Sequence, residues 1–135
     1  KGKLILKGIL NEIDALKALD TGADAMVVSN HGGRQLDSVP SSISMLPNIK
    51  KIANGKTEVW VDGGIRSGID VLKACSLGAD LSLIGRPYLY ALGAYGEKGV
   101  SEILRIFQED LDLAMALCGK TRISQLNFKN VLFNF

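Results

Sequence analysis

The sequence holds one histidine, His31, inside the string "VVSNHGGRQLD" at 27–37. An apolar run leads into it, two glycines follow, and Arg34 stands three positions on. An imidazole can take or release a proton near neutral pH. A guanidinium presents a planar fork of donors suited to a carboxylate or a phosphate. A base beside such a group suits an acid substrate that carries a proton to be removed. A lone histidine is by default a hydrogen-bonded structural residue. The glycines that clear space around this one, and the guanidinium beside it, favour the chemical reading.

Two other strings carry charge next to glycine. "VDGGIRSG" at 61–68 places Gly63 and Gly64 after Asp62, lets the backbone approach a ligand closely, and then supplies Arg66. Ser67 is expected to open a helix whose N–H groups point back at the loop, a ready site for an anion. "IGRP" at 84–87 repeats the plan: Gly85 permits close approach, Arg86 adds charge, and Pro87 stops strand pairing or opens a helix. One such loop is as readily an ordinary turn with a solvated arginine; two after consecutive strands point to phosphate. Lys7, closing "KLILK", faces either solvent or a mouth where it could stabilise developing negative charge. One histidine and two distant cysteines make no zinc site, and no nucleophile elbow or Walker loop is present.

The elements that must hold these residues are legible. Short runs rich in Val, Ile and Leu at Leu4–Leu6, Ala25–Val28, Glu58–Val61 and Leu81–Ile84 read as strands covered on both faces. Asn11 and Ser67 cap helices, each with an aspartate (Asp14, Asp70) three positions later. Gly22 and Gly78 fall where helices end in a left-handed residue. A helix is predicted between Pro40 and Gly55, interrupted near Pro47. Apolar residues at 100, 103, 104, 107, 111, 114, 115 and 118 mark one face of a long helix closed by Gly119. The chain also repeats: "LKALDTGADAMVVS" (16–29) returns as "LKACSLGADLSLIG" (72–85), 56 residues on, a period that suits two βα units.

Four βα units in succession imply parallel strands with helices outside. They could form an open doubly wound sheet or half of a (β/α)₈ barrel; 135 residues match half of the roughly 250 that a barrel takes. In both architectures ligands meet the C-terminal strand ends. Lys7, Ser29, Asn30, His31, Arg34, Asp62, Gly63, Gly64, Arg66, Gly85 and Arg86 all fall at or just beyond those expected ends.

Bulk properties narrow the classes. Apolar residues make up 47% and charged residues 22% of the chain, values of a globular domain. A net charge of +2 gives no footprint for nucleic acid. No apolar run approaches the roughly 20 residues of a membrane span, and no signal peptide is read. Cys75 and Cys118 lie in apolar periodic segments and are expected to be buried thiols of a reducing, cytoplasmic compartment. The first residue, Lys1, leads to the expectation that the chain is part of something longer.

Together these strings resemble the FMN-dependent α-hydroxy acid oxidase and dehydrogenase family, which includes glycolate oxidase and flavin-linked L-lactate dehydrogenase. The resemblance is carried by "LILKGIL", "GADAMVVSNHGGRQLD", "VDGGIRSGIDVLKACSLGAD", "IGRP" and "MALCG". It runs from about Lys3 to Gly119 and corresponds to the C-terminal half of the family's barrel, strands five to eight. Residues 1–119 are therefore expected to be that half barrel and 120–135 a C-terminal tail.

The resemblance implies oxidation of a small L-2-hydroxy acid of lactate or glycolate type to the 2-oxo acid. His31 would be the base and Arg34 the clamp on the substrate carboxylate. It further implies that FMN meets Lys7 and Ser29 near its ring, and the segment Asp62, Gly63, Gly64, Ile65 and Arg66, with Gly85 and Arg86, at its ribityl chain and phosphate. Ser82 stands where members carry an apolar residue. Four strands alone leave two open edges, so association with a missing N-terminal half or with a second copy is expected. The alternative is a non-catalytic remnant, or a half-barrel module that binds phosphate or flavin only. An inosine-phosphate dehydrogenase-like barrel enzyme is a weaker reading, against which "SNHGGRQLD" speaks. The residues do not support contact with a membrane.

Overall fold

The computed structural model of the chain describes residues 2–130. Four parallel strands, β1 (Ile5–Ile9), β2 (Ala25–Val28), β3 (Glu58–Val61) and β4 (Leu81–Ser82), lie side by side in sequence order. Helices α1 (Glu12–Asp20), α2 (Ser42–Ala53), α3 (Gly68–Ser76) and α4 (Arg86–Leu117) follow them in turn. A doubly wound sheet reverses its strand order at a switch point. The uninterrupted order 1-2-3-4 is the winding of a (β/α)₈ barrel.

Side chains alternate across each strand, and the two faces differ. Met26, Val28, Val59 and Val61 pack with Leu46, Ile49 and Ala53 of α2 and Ala15 and Ala18 of α1 in the main core. Each large apolar side chain buried there contributes roughly 1.5–3 kcal/mol. The opposite face carries Lys7, Val27 and Trp60, which share one register row. All four β2 residues are buried, as expected of a central parallel strand. The edges depart from that expectation: Ile5 and Leu81 are each 41% exposed, because β1 and β4 each have a neighbour on one side only.

The local signals act as read. Asn11 Oδ1 accepts from Asp14 N at 2.8 Å and Ser67 Oγ from Asp70 N at 3.2 Å. Gly22 and Gly78 take φ of +71° and +101° just past α1 and α3. The internal repeat extends to its aspartates. Asp24 accepts from Leu4 N and Asp80 from Val59 N, each at 2.8 Å. Each aspartate thereby ties the approach to its own strand to the neighbouring strand.

Several expectations need correction. Pro47 does not interrupt α2, which runs unbroken through it; the missing N–H costs one hydrogen bond, and burial of Leu46, Ile49 and Ala53 carries the helix across. The last helix starts at Arg86, well before Val100, and kinks at Gly96 (φ +60°, ψ −143°). Cys118 is exposed and Cys75 only half-buried. Among the described residues beyond α4, Leu126 packs on Leu72 and Met115. Phe133 and Phe135 lie outside the described residues. Ser82 Oγ is buried without a partner.

Candidate active site

The strand ends converge on one concavity of about 610 Å³. Its floor is an ion pair: Lys7 Nζ lies 2.5 Å from Asp62 Oδ2 and donates to Ser29 Oγ at 2.7 Å. Ser29 is fully buried and does not line the opening. Its oxygen also accepts from His31 N at 3.1 Å. One hydroxyl beneath the site thus ties β1 to the loop after β2; Lys7 sits mid-strand, not at the strand end expected from the sequence, because β1 continues past the Gly8 bulge to Ile9.

That loop is tightly wound. His31, Gly32 and Gly33 form a 3₁₀ turn in which all three have positive φ, of 55°, 71° and 73°. Left-handed backbone is open to glycine and tolerated by few other residues, histidine among them. Asn30 fixes the turn, its Oδ1 accepting from Gly32 N at 3.0 Å and its carbonyl from Gly33 N at 2.9 Å. The turn carries the His31 ring and the Arg34 side chain to the wall of the concavity.

The loops after β3 and β4 form the other wall. Gly64 (φ +82°) and Gly85 have no atom within 4 Å of where a Cβ would stand, so both backbones border open space. Arg66 and Arg86 rise beside them. Ile65, which also borders the concavity, is buried in the main core. Arg34, Arg66 and Arg86 have no carboxylate within ion-pair distance among the described residues. Asp62 Oδ1 is buried and unpartnered.

The helix N-termini do not behave as expected. The start of α3 is occupied: Ile69 N donates to Asp110 Oδ2 at 3.1 Å, and Arg66 N and Asp70 N go to Asp70 Oδ2 and Ser67 Oγ. The Arg66, Ile69 and Asp70 N–H groups are thereby already taken by side chains of this chain. The start of α4 has no capping side chain and borders the concavity through Gly85, Arg86 and Pro87. Its first segment, before the Gly96 kink, follows β4 directly, where many (β/α)₈ barrels carry a short extra helix.

Sequence reasoning thus named residues that the fold brings together, and missed others. Gly32, Gln35, Leu83 and Leu89 also line the opening. Leu89 was hidden because segment 86–95 reads poorly as a helix: it contains Pro87, three tyrosines and Gly93, and residues on several of its sides are exposed.

The sequence model of the FMN-dependent dehydrogenases matches residues 1–132. The chain belongs to that family. As a family member it is 49% identical over 124 residues to an L-lactate oxidase of Nostoc sp., an alignment covering 92% of this chain and 34% of the relative. It is 50% identical to an L-lactate dehydrogenase of Pseudomonas entomophila (93% and 33% covered) and 51% identical to 2-hydroxyacid oxidase 1 of Mus musculus (86% and 31%). The chain spans about a third of the length of these curated relatives. Among solved structures, mandelate oxidase with benzoyl-formic acid superposes at a TM-score of 0.88 and 50% identity, covering 90% of this chain and 36% of that one. A mandelate oxidase variant with the monooxide FMN adduct gives the same score, with 39% of its chain covered.

Proposed function

We propose that this chain supplies the base, the carboxylate clamp and the phosphate corner for FMN-dependent oxidation of a small L-2-hydroxy acid, of lactate or glycolate type, to the 2-oxo acid. One observation carries the reading. Three guanidinium groups without carboxylate partners among the described residues surround one concavity, with the sole imidazole on its wall. Unpaired cations in a shared cavity ask for anions. FMN brings a phosphate and a hydroxy acid brings a carboxylate.

The residues present fit FMN. Arg66, Arg86 and the uncapped start of α4 would hold its phosphate, and the open space beside Gly64 and Gly85 lets the backbone approach it. The orphan Oδ1 of Asp62 is an acceptor for a ribityl hydroxyl. Lys7, held by Asp62 and Ser29, would place its positive charge beside the flavin ring. FMN, when bound, supplies the acceptor for two electrons and one hydrogen. His31 takes the other hydrogen as a proton on a ring nitrogen; neither nitrogen has a hydrogen-bond partner among the described residues. Arg34 forks onto the carboxylate and fixes which hydrogen faces the base.

The open edges at β1 and β4 call for association, with further βα units or with a second copy of this chain. No helix among the described residues is long and apolar enough to cross a membrane. The two free thiols accord with a reducing, cytoplasmic setting.

Titration of the chain with FMN, and separately with inorganic phosphate, tests the corner directly. Saturable binding that falls at least about tenfold in Arg66→Ala and in Arg86→Ala is expected. Absence of saturable binding by both ligands would sink the reading. FMN binding without turnover of L-lactate or glycolate, in the presence of an artificial electron acceptor, would favour the binding module.

A further inference from the structure

Gly8 lies between Lys7 and Ile9, where the register of β1 against β2 slips by one residue. Its φ is +101°, a conformation that favours glycine. A Cβ built there would stand 2.8 Å from His31 Cε1, 3.5 Å from Nε2 and 3.8 Å from Nδ1. The imidazole therefore rests, by its Cε1 edge, in space that any side chain at position 8 would claim. Among the described residues no hydrogen bond reaches the ring. What holds His31 from the polar side is its backbone N–H on Ser29 Oγ, at 3.1 Å. The ring itself, on an exposed residue, lies over the bulge.

We propose that Gly8 is a positioning residue for His31. The bulge opens a seat for the imidazole on the wall of the concavity, and it lies next to Lys7, whose ammonium reaches Ser29 and Asp62. Bulges near active sites commonly re-aim a side chain in this way. The catalytic meaning rests on His31 acting as the base; the seat is a matter of geometry and can be tested without flavin. The competing account is that glycine is needed at position 8 only for its backbone angle. The ring would then be indifferent to what position 8 carries.

A double-mutant cycle separates the two accounts. Gly8→Ala strains φ equally in the parent and in the His31→Ala background, so the strain cancels. Only the chain that keeps the imidazole adds the collision with the ring. Urea unfolding of the four chains should give a folding equilibrium constant that Gly8→Ala lowers about twofold more in the parent than in the His31→Ala background, a small excess because an exposed ring can swing aside. In Gly8→Ala the single imidazole Cε1–H cross-peak should move toward its position in a short disordered peptide. Because the chain has one histidine, that peak needs no assignment. Equal losses in both backgrounds, or an unmoved peak, would overturn the seat. Should the Gly8→Ala chains not fold, the unaltered chain decides: a nuclear Overhauser contact between His31 Hε1 and a Gly8 Hα supports the seat, and its absence overturns it. FMN titration of the same unaltered sample reports on the functional reading separately.

Discussion

Lys7 and Asp62 meet at 2.5 Å from Nζ to Oδ2, although one comes from β1 and the other follows β3, with β2 between them. Ser29, beyond the end of β2, takes a second Lys7 donor at 2.7 Å. One ammonium thus joins the middle of β1 to the residues just past β2 and β3 under the concavity. The lysine side chain is 43% exposed and the aspartate 19%, so solvent screens part of the attraction.

Removing that ammonium should cost modest stability and more binding. Lys7→Met leaves Asp62 without its cation, and a loss of about 1 kcal/mol is expected after screening. Urea unfolding measures it, with FMN affinity followed on the same samples. A variant as stable as the parent, with unchanged FMN affinity, would show the pair to be idle.

The three guanidinium groups should separate by role. Arg66→Ala and Arg86→Ala are expected to leave the melting temperature unchanged, since neither side chain is paired among the described residues, while weakening phosphate binding. Arg34→Ala should leave phosphate binding intact and weaken binding of a 2-hydroxy acid carboxylate. Calorimetric titration with phosphate and with L-lactate checks the division, and loss of phosphate binding in Arg34→Ala would contradict it.

Gly68 should tolerate no side chain. Its Cβ would stand 2.2 Å from Leu111 N and 2.5 Å from Phe107 O, both backbone atoms of α4. Backbone cannot swing aside as a flexible side chain can, so Gly68→Ala should destabilise by about 2–3 kcal/mol. A melting temperature within a degree of the parent would mean that α3 and α4 are not packed this closely.

Ser82→Ala should stabilise. The hydroxyl is buried without a partner, and deleting it removes a desolvation cost of about 1 kcal/mol while leaving the rest of the side chain in place. Urea unfolding of the two chains gives the sign directly. A destabilised variant would reveal a partner for that oxygen.

The two thiols should differ in reactivity. Burial, and secondarily the nearby Asp80 carboxylate, push the Cys75 thiol above its ordinary pKa, so less thiolate is present at pH 8. Cys118 is exposed. Iodoacetamide at pH 8 should label Cys118 first, and urea should narrow the difference; peptide mass mapping reads the order. Preferential labelling of Cys75 in the folded chain would contradict the packing around it.

What the sequence determined by itself was mostly local. Asn11 and Ser67 cap helices through atoms three residues away, and Gly22 and Gly78 end them through their own φ. Such signals need no tertiary partner. The string around His31 was legible by its residue types, an imidazole, two glycines and a guanidinium; the turn that Asn30 closes onto the N–H groups of Gly32 and Gly33 was not read from them, although it too is local. The tertiary structure decided what depends on distant chain. It set the strand order, which chose a barrel winding over a doubly wound sheet. It brought Asp110 onto Ile69 N across 41 residues, which takes one of the N–H groups at the start of α3, whereas the start of α4 has no capping side chain. It also made the first segment of α4 a helix despite a pattern with no clear apolar stripe, and it set the His31 ring on Gly8. Short-range hydrogen bonds are written in neighbouring residues, whereas packing and long-range pairing exist only once the strands lie side by side.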